Sequence, residues 1–151
     1  MKSIGIKNLR SLRDTKQMEI KPINILVGSN SSGKSTFLRL FPLMKQSLRN
    51  KINGPILWAG DDDDYVDFGS FSEAVNNNSK EKIIKFRFTF DMKLNTSYDL
   101  LFIYNFLPYA SNGRDYSFDV DISLSQYKDI ELDYISEVGI KFLTYKYYFE
   151  I

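Results

Sequence analysis

Ile23-Asn24-Ile25-Leu26-Val27-Gly28-Ser29-Asn30-Ser31-Ser32-Gly33-Lys34-Ser35-Thr36-Phe37-Leu38-Arg39-Leu40-Phe41 holds an apolar run, a turn bounded by two glycines, and a second apolar segment. Strand, glycine-rich turn and helix is the context in which the spacing GxxxxGK[ST], met in full from Gly28 to Ser35, predicts a phosphate-binding Walker A loop. Each residue type has a physical reason. Gly28 and Gly33 let the backbone turn and approach a phosphate where a Cβ would collide. The N–H groups of residues 29 to 35 would form an anion nest at the positive end of a helix. Lys34 offers a mobile cation to the β- and γ-phosphates, and Ser35 a hydroxyl ligand to Mg²⁺. Thr36 completes the loop. The bland alternative is a connector that ends by chance in Lys-Ser, and the flanking strand and helix weigh against it.

Upstream, Ile4 and Ile6 alternate with Gly5 and Lys7, the period of a half-buried strand. Asn8 to Thr15 reads as a connection rich in basic and turn-forming residues. A second strand, Gln17 to Ile20, is expected to pair back on the first before Lys21-Pro22 turns the chain. Ile23 to Val27 is apolar almost throughout, which predicts a strand buried on both faces of a sheet. Beyond the loop, Phe37, Leu40, Phe41, Met44 and Leu48 recur at helical spacing and predict a helix with this stripe in the core. Pro42 sits inside it and predicts a kink or a loosened turn.

From Asn50 to Asn78 the pattern breaks. Asp61-Asp62-Asp63-Asp64 could recruit a divalent ion, although a solvated, self-repelling loop explains four adjacent carboxylates more simply. Asp67 to Val75 predicts a tight turn and a short helix with Ser70 or Ser72 near its cap. The period then becomes two. Ile84, Phe86, Phe88 and Phe90 alternate with polar residues, as do Phe118, Val120, Ile122 and Leu124. Between them, Tyr98 to Tyr109 is a denser apolar run closed by the turn signal Ser111-Asn112-Gly113. Ile130 to Val138 and Lys141 to Ile151 read as further strands joined at Gly139. Such a series is an antiparallel meander, not a βαβ series. Asp119-Val120-Asp121 resembles a metal-binding DxD, but strict alternation would also point both carboxylates outward.

Length and composition bound the answer. The 151 residues suit one domain, read as strands, loop and helix over 1–50, a connecting loop and short helix over 51–82, and antiparallel strands over 83–151. Twenty basic and 19 acidic residues leave a net charge of +1, so bulk charge gives no support for a nucleic-acid partner. Without cysteine there are neither disulfides nor thiolate metal sites, and a reducing cytoplasm is the simple expectation. No apolar run is long enough for a conventional membrane-spanning helix. The chain closes on Tyr147-Tyr148-Phe149-Glu150-Ile151, an apolar strand end that native proteins cover, which predicts an incomplete domain with further chain after it.

Asn30 gives the loop the form Gly-Ser-Asn-Ser-Ser-Gly-Lys-Ser, which resembles the GxNxSGKS loop of SMC-like, RecF-like and OLD-family (overcoming lysogenization defect) ATPases, a DNA-directed branch of the ABC-type ATPases. Ile6-Lys7-Asn8-Leu9-Arg10-Ser11 resembles the opening IKNFRS strand of that branch. Val66 to Val75, with the strand after it, is similar to OLD-type domains. The resemblance covers residues 3 to 90 and implies an α/β P-loop fold that binds ATP and Mg²⁺. It also implies that Arg10 reaches toward the phosphates. Arg10, Arg13 and Lys7 read equally as ordinary surface charges.

Several family parts are absent from the sequence: an apolar strand ending in Asp-Glu, an LSGG-like signature, a switch histidine and a Toprim-type nuclease site. Gln46 and Gln126 have no placeable role at the nucleotide. Two functions follow. One is the ATP-binding lobe of an OLD-like ATPase, whose resemblance implies self-association, hydrolysis completed by groups elsewhere, and DNA-directed nuclease action such as phage defence. The other is a nucleotide-sensing module that assembles with a protein or nucleic acid without turnover. A small P-loop kinase or GTPase fits poorly, because those folds continue with parallel βαβ units and no NKxD-like guanine reader is present.

Overall fold

The computed structural model describes residues 1–48, 54–93, 115–127, 132–142 and 145–149. Six strands make one antiparallel sheet: β1 (Ser3–Leu9), β2 (Leu12–Glu19), β3 (Ile84–Lys93), β4 (Asp115–Gln126), β5 (Asp133–Phe142) and β6 (Tyr145–Phe149), in the order β2-β1-β3-β4-β5-β6. Two helices accompany them, α1 (Lys34–Ser47) and α2 (Phe71–Ala74). The register follows the period-two reading. Ile4 stands opposite Phe88 and Ile6 opposite Phe86, all buried, while Gly5 faces Arg87 and Lys7 faces Lys85 on the other side.

One core joins this sheet face to the rest. It combines Ile4, Ile6, Ile84, Phe86, Phe88 and Leu124 with Phe37, Leu40 and Leu43 of α1, and with Trp58, Val66, Phe68, Phe71 and Val75 of the connecting segment. Of the two expected caps, Ser70 and Ser72, it is Ser70 that caps α2, through a full capping box with Glu73.

Gln46 is fully buried at the centre of this packing. Its amide nitrogen donates to Leu57 O (3.0 Å) and Val66 O (2.7 Å), and its oxygen accepts from Val66 N (3.0 Å). This glutamine pins the connecting segment to α1 and has no part in the loop.

Four expectations are corrected. No strand forms at Ile23 to Val27; the segment is unpaired, and Ile23, Ile25 and Val27 are 81–87% exposed. A strand needs a hydrogen-bonding neighbour as well as apolar side chains, and none of the described residues supplies one. The α1 stripe is also rotated. Phe37, Leu40, Leu43 and Gln46 are buried, Phe41 is partly exposed, and Leu48 lies at the exposed C-cap; α1 itself continues through Pro42. Asn8 to Thr15 is a hairpin, because Leu9 pairs with Leu12 across a two-residue turn and β2 starts there instead of at Gln17. Gly139 lies inside β5, paired with Asp121 and Tyr148, so it joins no two strands. The expected run at Tyr98 to Tyr109 and the turn at Ser111-Asn112-Gly113 lie outside the described residues.

Candidate functional site

The loop is built from its own backbone. Gly33 is the N-cap of α1 and adopts a left-handed φ of 96°, where an L side chain is strained. Ser31 also takes positive φ, and Ser32 N donates to Ser29 O (3.3 Å) to tighten the turn. No side chain caps the helix. The first-turn amides of Lys34, Ser35 and Thr36 therefore have no carbonyl one turn back to satisfy them, and the positive end of a 14-residue helix opens into the loop.

Lys34 occupies that opening itself. Its ammonium donates to Gly28 O (2.7 Å) and Ser29 O (2.6 Å), with Ser32 Oγ at 3.4 Å. Two carbonyls stand where an anion's oxygens would be better acceptors, because the bond would then join opposite full charges. Ser29, Asn30, Ser31, Ser32 and Ser35 are exposed, whereas Thr36 is buried on the core side of α1. Ser35 stands exposed in the first turn of α1.

The tip of the β1–β2 hairpin packs against the helix end of the loop at Gly33. A Cβ on Gly33 would lie 2.3 Å from Leu12 Cδ2 and 3.2 Å from Ser11 Oγ, so the hairpin tip rests directly on this glycine. The tip is positioned by unusual backbone. Asn8 (φ 62°) breaks the strand alternation and turns Leu9 into the core, and Arg10 (φ 48°) forms the turn. Anchors hold this geometry: Arg10 N donates to Ala74 O (2.7 Å), Asn76 N to Asn8 O (2.9 Å), Asn76 Nδ2 to Arg10 O, and Asn8 Nδ2 to Ile83 O (3.0 Å).

Between the hairpin and the loop lies an open pocket of about 460 Å³, lined by Ser11, Arg13, Asp14 and Thr15 and by Gly28, Ser32, Gly33 and Lys34. Leu12, Met18, Leu26 and Phe37 give it an apolar wall. Asp14 is its acid, and Lys16 neutralises it at 2.9 Å, which holds its carboxyl below the ordinary range. A donor set of amides, hydroxyls and an ammonium fits a polyphosphate.

Arg10 lies elsewhere. Its guanidinium sits 5.0 Å above the Phe68 ring and helps hold the Glu73 carboxyl down, after the larger effect of the Ser70 hydrogen bonds. Arg13, read as a surface charge, is exposed, at the rim of the pocket. The signal available for the hairpin was the pair Leu9 and Leu12 flanking two turn residues. Asp119 accepts from Thr89 Oγ1 (2.7 Å) and Asp121 pairs with Arg87 (2.5 Å), so both aspartates are engaged in the sheet. Asp64 Oδ2 accepts from Asp61 N (3.0 Å) within its loop. Gln126 accepts from Ser72 Oγ (3.1 Å), far from the phosphate loop in sequence and on another element. No helix among the described residues is long and apolar enough to cross a membrane.

A family model described as an AAA ATPase domain matches residues 1–147. No curated protein sequence matches the chain.

Proposed function

The chain belongs to the AAA ATPase domain family, and we propose that it binds MgATP in the pocket between the phosphate loop and the β1–β2 hairpin. One observation carries this reading: a left-handed glycine opens the helix end, and Lys34 fills the opening with its own ammonium. A triphosphate would draw Lys34 from its two carbonyls onto phosphate oxygens, while the loop amides take the remaining charge. Mg²⁺ entering with the nucleotide would neutralise phosphate charge, with the Ser35 hydroxyl as the ligand that the loop spacing supports.

Turnover needs a positioned water and groups that stabilise the transferring phosphoryl charge. We assign those groups to another member of an assembly that includes a second protomer. The resemblance to SMC-, RecF- and OLD-type loops supports an ATP-gated, DNA-directed process, with nuclease action against phage as its sharpest form; that step is an analogy of family, not of site geometry. The alternative is a sensor that binds ATP and assembles without turnover.

Titration calorimetry with MgATP tests the binding. Lys34→Ala is expected to weaken affinity by at least about 100-fold, the loss of charge-assisted bonds to phosphate. Unchanged affinity in that variant would remove the loop from the site. Phosphate release together with ATP-dependent growth in assembly mass favours the ATPase reading. Growth in mass without release favours the sensor.

A further inference from the structure

We propose that Asn76 is a positioning residue for the nucleotide: it holds the β1–β2 tip against the helix end of the phosphate loop. The inference rests on the binding reading above and goes beyond it, because Asn76 lies outside both the loop and the hairpin and the loop spacing does not select it. Four observations lead to it. Asn76 is 5% exposed and uses both ends of its side-chain amide, Nδ2 donating to Arg10 O and Oδ1 accepting from Asn78 N (3.0 Å). Its main chain joins the same contact, since Asn76 N donates to Asn8 O (2.9 Å). The two residues it grips, Asn8 and Arg10, are both held in left-handed backbone, with φ of 62° and 48°. Just past them Leu12 is seated on Gly33, so the tip that Asn76 holds touches the N-cap of α1.

The energetics agree with the placement. Left-handed backbone is unfavourable for an L residue and persists only where the surrounding bonds over-determine it. Residues 74–76 supply three such bonds to the turn: Ala74 O accepts from Arg10 N, and Asn76 gives one from its main chain and one from its side chain. Leu9 adds a bridge to Val75. Among the three bonds only that of Asn76 Nδ2 uses a side chain, so one substitution can remove it and leave the others in place. Without it the turn loses a constraint, and Leu12 loses its fixed seat on Gly33. The loop amides must then be ordered at the moment of binding, and donors that need ordering hold an anion less tightly than preorganised ones.

The test titrates MgATP into the full 151-residue chain as wild type, Asn76→Ala, Asn76→Asp, Leu12→Ala, the Asn76→Ala/Leu12→Ala double variant and Lys34→Ala, each below its melting transition. Asn76→Ala is expected to weaken affinity about tenfold. Asn76→Asp keeps the acceptor for Asn78 N and loses the donor to Arg10 O, so it should lose as much. In the double variant the two losses should fail to add, because Asn76 acts through the tip that Leu12 seats on Gly33; a general loss of stability would produce no such coupling. One measurement needs no variant to fold. The Arg10 and Asn76 amides, both donors in this contact, should exchange more slowly in wild type when MgATP binds. Unchanged exchange at those two amides overturns the assignment, as do additive losses or wild-type affinity in Leu12→Ala or Asn76→Asp. Loss in Lys34→Ala with wild-type affinity in Asn76→Ala overturns it too and leaves the loop reading standing. Wild-type affinity in Lys34→Ala overturns the loop reading itself.

Discussion

Ile4 and Ile25 are the same residue in two apolar segments that both read as strands, and they meet opposite fates. Ile4 is fully buried between β2 and β3, with Phe88 opposite, whereas Ile25 is 81% exposed and unpaired. The sheet supplies β1 with a neighbour on each side; the described residues supply none to the segment that leads into the phosphate loop. Apolar character states a preference for burial, and only a partner surface fulfils it. The comparison also separates support from site. Gln46 holds the connecting segment to α1 through buried hydrogen bonds and the hairpin tip is anchored on Ala74 and Asn76, while residues 29–32 of the loop are exposed.

Substitutions can break or sharpen that contrast. The largest effect is expected at Ile4→Ala, which opens a cavity between β1 and β3 and should destabilise by about 3 kcal/mol in a urea titration. Gln46→Ala should follow at about 2–3 kcal/mol, because it leaves Leu57 O and both polar groups of Val66 buried without their partner. Hydrogen exchange should show faster opening of residues 54–68 in that variant, with the sheet amides less affected.

A pH-dependent effect is expected at Asp133. This carboxyl is partly buried and accepts from Trp58 Nε1 (3.0 Å), tying the connecting segment to β5. Burial raises its pKa above the ordinary 3.8, and the Trp58 bond opposes that rise. The folded state therefore holds the proton more tightly than the unfolded state. Stability from this group is complete below the unfolded value and is lost as pH rises through the folded one. Asp133→Asn keeps an acceptor for Trp58 and removes the titration. Wild type should lose stability relative to this variant as pH rises from about 4 toward neutral. A constant difference across that range would show that Asp133 does not titrate differently on folding. Asp14 has the opposite sign, since Lys16 lowers its pKa and its contribution is lost as pH falls.

The smallest effect is expected at Ile25→Ala, within about 0.5 kcal/mol of wild type. A cost near that of Ile4→Ala would mean that Ile25 is covered in solution, for instance by self-association, which sedimentation of the wild-type chain would reveal.

Much of this was legible in the residues. The alternation at Ile84 to Phe90 and Phe118 to Leu124 gave β3 and β4 their faces, because a period of two has one buried side whatever the neighbours are. A cap at Ser70 or Ser72 was legible because such bonds are local, and the structure selects Ser70, with Glu73 completing the box. The loop was legible because Gly28, Gly33, Lys34 and Ser35 meet a covalent spacing demand. The hairpin over Gly33 was less so: Asn8 and Arg10 in left-handed backbone do not follow strand periodicity, and they persist through anchors at Ala74 and Asn76 far along the chain.

The sequence by itself determined the chemistry available: a glycine-bounded loop, one lysine and one serine at the required spacing, and strands of fixed facing. Only the tertiary structure decided that the hairpin tip rests on Gly33, that Gln46 is a buried pin, and that Ile23 to Val27 is unpaired. The reason is one of range. Local backbone and spacing rules act within a few residues, whereas burial, pairing and the meeting of charges depend on which distant segments the chain brings together.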